Sequence, residues 1–258
     1  MPDKLQPWFA LPGHAVVTLE GRDALAFAHA QFMNDSRPLA DGQWQWSGWL
    51  SPKGRVLALF VFLRRGPECA WLVLPDADAQ GFADALKRFV FRSKVAIDVR
   101  DDLHVSGCFG DIGACGSGGS REALIPFAAS AAPTDMRMIR ISEEPGVPDD
   151  DAVARWTIAD LRAGIPRLPA SQHDKWTPQQ LSLDRLDAYS VKKGCYPGQE
   201  IVARTHFLGK AKRGLVVFTT TTDVAPGDPM PETDGNGEIV AVATLPDGTR
   251  LAQAIATL

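Results

Sequence analysis

The run VLALFVFL, residues 56–63, constrains this chain more than any other stretch. It is continuous, rich in branched and aromatic side chains, and far shorter than the roughly 20 residues that a membrane-spanning helix needs. SPKG precedes it at 51–54, and WQWSGWL lies before that at 44–50. The proline and glycine mark a tight connection, so the pattern predicts a β-hairpin whose second strand is largely buried.

The flanking segments extend this reading. HAVVTLEG (14–21) alternates as a strand, and RDALAFAHAQFM (22–33) sets Leu25, Phe27 or Ala28, and Phe32 at helical spacing. CAWLVLP (69–75) is another strand, DADAQGFADALKRFVFR (76–92) an amphipathic helix opened by an Asp cap, and KVAIDVRD (94–101) a strand again. DMRMIRIS (135–142) reads as a strand. DDDAVARWTIADLRAG (149–164) is a helix with acids in its first turn and Gly164 at its end. Hairpins mixed with helices favour an α+β architecture over a regular doubly wound sheet. The glycine-rich GCFGDIGACGSGGS (107–120) lacks a clear following helix to offer a phosphate, so a surface turn is the expected structure. After Gly214 the chain changes to short strands and turns, predicting a small C-terminal β-barrel or sandwich of roughly 45 residues, which must pack on the rest to be stable. The expected division is 1–100, 101–213 and 214–258.

Charge and cysteine content exclude several functional classes. With 27 basic and 31 acidic side chains, the chain has no global footprint for nucleic acid. The N-terminal stretch has no cationic start followed by an apolar core, so no signal peptide is read and a cytoplasmic location is expected. Cys69, Cys108, Cys115 and Cys195 form no C-x-x-C pair and have no His at zinc spacing, which argues against a metal site and leaves reduced thiols as the expectation.

Cys195 stands in VKKGCYPGQE (191–200), just ahead of QEIVARTHF, which reads as a helix. A helix N-terminus with Lys192 and Lys193 nearby favours thiolate over thiol, giving a reactive group. A small buried residue in a sharp turn fits the spacing as well. Between Asp184 and Arg213 there are seven Lys or Arg and three Asp or Glu, which suits either a solvated face or an anionic ligand.

The block KKGCYPGQEIVARTHFLGKAKRGL (192–215) resembles the signature of the YgfZ family, folate-binding relatives of the glycine-cleavage T-protein. Lys193, Gly194, Cys195, Tyr196, Gly198, Gln199 and Glu200 fill its K-G-C-Y-x-G-Q-E core, and Arg204, Gly209 and Arg213 its continuation. FAHAQFMNDSRPL (27–39) resembles the family's T-N-D segment, with Met33 where threonine is usual, and WLSPKGRV (49–56) resembles its hairpin. The resemblance implies a three-domain cloverleaf around a folate cavity, with Cys195 and Lys193 as the working pair and Asn34, Asp35 and Arg213 toward tetrahydrofolate or a related reduced folate. It also implies a role in iron-sulfur cluster assembly or repair, with client enzymes or assembly factors as partners and an indirect effect on tRNA modification. No stably bound metal, membrane or direct nucleic-acid contact is expected.

One departure separates the chain from aminomethyl-transferring T-proteins. Where they resemble G-G-x-x-D-D, this chain has GRVLAL, placing Ala58 and Leu59 at the acidic pair. Neither side chain can accept a proton or stabilise positive charge. A folate-dependent one-carbon transferase using Cys195 is the rival reading. An RNA-binding module is a third, for which the sequence offers neither interleaved aromatics nor net positive charge.

Overall fold

The computed structural model describes residues 6–115, 122–128, 136–209, 211–231 and 236–257. Its first sheet is antiparallel with strand order β3-β4-β5-β2-β6, built from β2 (His14–Glu20), β3 (Trp44–Leu50), β4 (Val56–Gly66), β5 (Cys69–Pro75) and β6 (Ala96–Val99). The strand period of two explains why β4 is apolar throughout. Leu59, Val61 and Leu63 join one core with Trp46, while Ala58, Phe60 and Phe62 join another on the opposite face, under α1 (Ala24–Gln31) and α2 (Ala79–Lys87). Both faces of β4 are therefore covered, as the hairpin reading requires.

Asp78 caps α2 by accepting from the Gly81 amide at 2.9 Å. The helix stops at Lys87 rather than continuing to Arg92. Phe89 and Phe91 are two residues apart and bury no helical stripe, and the chain turns there to deliver β6 to the edge of β2.

The second antiparallel sheet has the order β1-β7-β9-β8, with β1 (Phe9–Ala10), β7 (His104–Phe109), β8 (Ala123–Ala128) and β9 (Met136–Ser142). Phe9 pairs with Gly107, so the N-terminal strand joins residues 104–142 rather than the sheet that follows it in sequence. Gly107 and Cys108 are strand residues, which corrects the surface turn expected from 107; residues 116–120 of that stretch lie outside the described residues. Cys108 also forms a disulfide with Cys115, at the end of the short helical turn α3 (Ile112–Cys115), against the expectation of reduced thiols. The return of the chain over that turn brings the two within a Cα separation of 6.0 Å, which spacing alone does not reveal.

Among the described residues the C-terminal unit is a three-stranded antiparallel sheet, order β10-β12-β11, from β10 (Arg213–Thr220), β11 (Gly237–Thr244) and β12 (Arg250–Thr257). No closed barrel is detected among them. The helix α4 (Asp150–Arg162) supplies the second layer instead, with Ile158 and Leu161 packed against Ala241 and Leu251. The buried Gln253 amide donates to the Leu161 and Ile165 carbonyls, both at 3.1 Å, satisfying acceptors at the end of that helix. Gly164, with φ 71, allows the left-handed turn there.

Beneath this junction lies a buried ionic chain. Asp160 reaches Arg137 at 2.8 Å and Arg167 at 3.0 Å, and Arg167 also pairs with Asp76. Burial pushes the Asp160 carboxyl up, against the opposing pull of the two guanidinium groups.

Candidate functional site: the motif loop and an aromatic cavity

The segment ahead of α5 (Gln199–Leu208) is held by its own motif residues. The Ser190 hydroxyl accepts from the Lys192 and Lys193 amides at 3.2 and 3.3 Å. Gln199 reaches back to the Lys193 carbonyl at 3.0 Å, and the buried Tyr196 donates to the Ser190 carbonyl at 3.3 Å. Burial, with Tyr189 adding repulsion, raises the Tyr196 phenol above its ordinary range, so it remains a donor.

Two glycines lock this loop onto the β3–β4 turn. Gly198 has φ 78, and a Cβ there would sit 2.6 Å from the Ser51 carbonyl and 2.7 Å from the Gly54 Cα. Gly54 has φ 68, and a Cβ there would sit 2.7 Å from the Ile201 Cβ. Each position needs both the left-handed conformation and the missing side chain. A Cβ on Gly194 would meet nothing within 4 Å, so no contact within the chain requires that glycine.

The same loop is stitched to residues 32–35, more than 150 positions away. The Asn34 amide donates to the Trp46 carbonyl at 2.9 Å and to the Asp187 carbonyl at 2.5 Å. Ser190 donates to the Met33 carbonyl at 2.9 Å. The Lys193 ammonium donates to the His29 and Phe32 carbonyls at the C-terminal end of α1. Met33 fits because Gly48 lies under it, with an added Cβ only 2.7 Å from the methionine methyl.

These contacts change the roles expected of three residues. Lys193 is a buried helix cap, its Nζ 4.7 Å from the centre of the Tyr196 ring, and no hydrogen bond joins it to Cys195 among the described residues. Burial lowers its pKa to about 8, with Asp35 opposing the shift and Arg37 adding to it. Asn34 has both amide protons engaged, so it shapes a wall instead of presenting donors. Asp35 is held by Arg37 through contacts of 3.0 and 2.7 Å and lies 3.3 Å from His29, and the Arg37 hydrogen bonds bring its pKa down to about 2. Cys195 is exposed, which separates the two sequence readings in favour of an accessible thiol. Glu200 and Arg204 are exposed on α5, and Arg213 is exposed at the start of β10.

The wall tied by Asn34 belongs to a cavity of about 290 Å³, lined by Trp44 and Trp46 of β3, Phe127 of β8, Ala163 and Ile165 after α4, and Arg185, Leu186 and Asp187. Trp44 and Phe127 stack at 5.7 Å with their planes 8° apart, and Trp46 meets Phe127 edge-on at 5.4 Å. Asp187 lies in the left-handed region, with φ 48, at the end of the short turn Leu183–Leu186. Arg185 lies beside Gly164, whose added Cβ would be 3.2 Å from the guanidinium, near the α4 C-terminus where a cation is favoured. The cavity therefore offers flat aromatic walls, one cation and one acid. Arg213 is not among its lining residues. Arg185 was counted within the basic 184–213 segment but not singled out, because Asp184 and Asp187 flank it, and the aromatic residues looked like ordinary strand core.

Ala58 and Leu59 are both buried and face opposite cores. Among the described residues no cluster of three or more His, Cys, Asp or Glu is arranged to hold a metal.

No protein-family model matches the chain. It is 29% identical to an uncharacterized protein of Haemophilus influenzae, over 84% of this chain and 75% of that protein. It is also 29% identical to the tRNA-modifying protein YgfZ of Klebsiella pneumoniae, over 93% and 82%, and 25% identical to that of Escherichia coli over the same shares. The crystal structure of glycine cleavage system aminomethyltransferase T from Bartonella henselae superimposes with a TM-score of 0.72, covering 99% of this chain and 79% of that one at 15% identity, a likeness of fold alone. The chain is thus similar to YgfZ proteins over most of its length and shares the fold of a glycine-cleavage aminomethyltransferase.

Proposed function

We propose that the chain binds tetrahydrofolate or a related reduced folate in the Trp44–Phe127 cavity. It thereby supports assembly or repair of iron-sulfur clusters in client enzymes of the cytoplasm, and through them tRNA modification. The observation that carries the reading is the cavity itself, which joins a stacked aromatic pair, Arg185 and Asp187 in one concavity. At about 290 Å³ it is near the lower limit of small-molecule sites, fitting a flat bicyclic head whose tail emerges. The aromatic walls would hold that head, Asp187 would accept from its N–H groups, and Arg185 would meet an anionic tail. The relatives' name, tRNA-modifying protein, supports the downstream role. The proposal extends to a cloverleaf in which the three sheets act as three domains around this cavity.

Cys195, exposed and ahead of α5, is the proposed working group toward clients or their assembly factors. A single thiolate cannot supply the ligation usual for a cluster, so the partner would contribute the remaining ligands. Aminomethyl transfer is disfavoured by the buried methyl and isobutyl groups of Ala58 and Leu59.

Calorimetry with tetrahydrofolate tests the binding step. Saturable heat is expected, weakening with added salt, and Arg185→Ala should reduce affinity about tenfold while Arg213→Ala leaves it nearly unchanged. Absence of saturable binding at millimolar folate would remove the folate reading. Full restoration of iron-sulfur enzyme activity by Cys195→Ser, in cells lacking the protein, would remove the thiol from the function.

A further inference from the structure

The net charge of −4 conceals a second local concentration of basic residues. Residues 87–94, KRFVFRSK, contain Lys87, Arg88, Arg92 and Lys94 with no acid among them, and all four are exposed. Lys87 lies 3.8 Å from Asp84, whereas Arg88, Arg92 and Lys94 form no ion pair among the described residues. Interleaved with them are Phe89, 47% exposed, and Phe91, 85% exposed. The Arg92 guanidinium lies 5.2 Å from the centre of the Phe91 ring.

Phe89 is mounted on a rigid base. It meets Trp49 edge-on at 5.7 Å, and Trp49 meets Phe82 in the same way at 5.5 Å. Trp49, Phe82 and Ala85 line an apolar cleft of about 270 Å³ along α2. Phe89 follows the end of α2 and reaches the edge of this cleft through its contact with Trp49. This cleft lies on the α2 side of the first sheet, the face opposite the core that contains Trp46.

We propose that residues 87–94 and the adjoining cleft form a docking surface for single-stranded RNA. Phosphates lie on Arg88, Arg92 and Lys94, bases stack on Phe91 and Phe89, and the cleft beside Trp49 admits a base splayed from the strand. The charge complementarity fits a polyanion, and exposed planar rings between cations fit its bases. The exposed Phe91 tip would suit a lipid surface as well, and it is the cleft beside Trp49 that favours RNA, because unstacked bases of RNA loops fill recesses. Balance over the whole chain masked this patch, and the expected helix through Arg92 hid its aromatic pair.

Fluorescence anisotropy with the full chain and a labelled single-stranded RNA of about 12 nucleotides tests the surface. Saturable binding is expected, with a log–log salt slope near −2 for three phosphate contacts. Phe91→Ala should weaken binding about tenfold at unchanged slope. Combined Arg88→Gln, Arg92→Gln and Lys94→Gln should flatten the slope. Both variants should retain the melting temperature and tetrahydrofolate titration of the parent, which separates this surface from the folate cavity. Absence of saturable RNA binding would overturn the proposal, as would indifference to Phe91→Ala, tighter binding of the same sequence as DNA, or Phe91-dependent binding to phosphatidylglycerol vesicles without RNA binding.

Discussion

Gly198→Ala and Gly194→Ala, four residues apart in one motif, should have opposite consequences. At Gly198 the backbone has φ 78, and a non-glycine residue in the left-handed region costs about 1–2 kcal/mol. The new methyl would also stand 2.6 Å from the Ser51 carbonyl, 2.7 Å from the Gly54 Cα and 2.9 Å from the Gly54 nitrogen. These are backbone atoms of a turn whose own amide is bonded to Ser51 at 2.9 Å, so no side-chain rotation relieves the contact. Moving the turn adds about 1–3 kcal/mol, as overpacking does elsewhere. The sum, about 2–5 kcal/mol, corresponds to a loss of about 5–15 °C in melting temperature for a chain of this size. Gly194 has open space around its missing Cβ and no positive φ, so Gly194→Ala should change stability by less than about 0.5 kcal/mol. Thermal and urea unfolding of both variants decide the matter. If Gly198→Ala melts with the parent, or Gly194→Ala loses as much, interlocking of the loop with the hairpin does not explain the motif.

Three further outcomes follow from named contacts. Iodoacetamide should label the native protein at Cys195 first, because Cys69 is half-buried and burial raises its thiol pKa; mass mapping that finds Cys69 modified first would contradict this. Asp160→Asn should cost about 3–5 kcal/mol by leaving two buried guanidinium groups under-compensated, and a urea midpoint equal to the parent's would refute that estimate. Lys193 has a folded pKa of about 8, below its unfolded value near 10.4, so the unfolded chain binds more protons between them and stability should rise with pH across that window. Lys193→Met should lose that rise, and parallel pH profiles for the two proteins would show that the ammonium is not buried as described.

Local features were legible without the fold. Alternation placed β2, a continuous apolar run after a Pro–Gly turn placed the β3–β4 hairpin, the Asp78 cap opened α2, and the acids and Gly164 bounded α4, because these signals act over a few residues. The motif around Cys195 was visible for the same reason. The destinations of side chains were not, since they depend on partners brought together by folding. Lys193 looked like a cation for its neighbouring cysteine, yet its ammonium caps a helix more than 160 residues earlier. Asn34 looked like a ligand contact, yet its protons are spent on Trp46 and Asp187. Arg185, which the sequence showed only as one of a basic segment, lines the aromatic cavity, and Arg213 does not. Phe9 pairs with Gly107 across a whole intervening sheet, and α4 replaces barrel closure as the cover of the C-terminal strands. Sequence patterns specify which residues prefer strand, helix or turn; only chain reversal and packing specify which buried donors and charges find one another, because each buried polar group must be satisfied by whatever the fold places within reach.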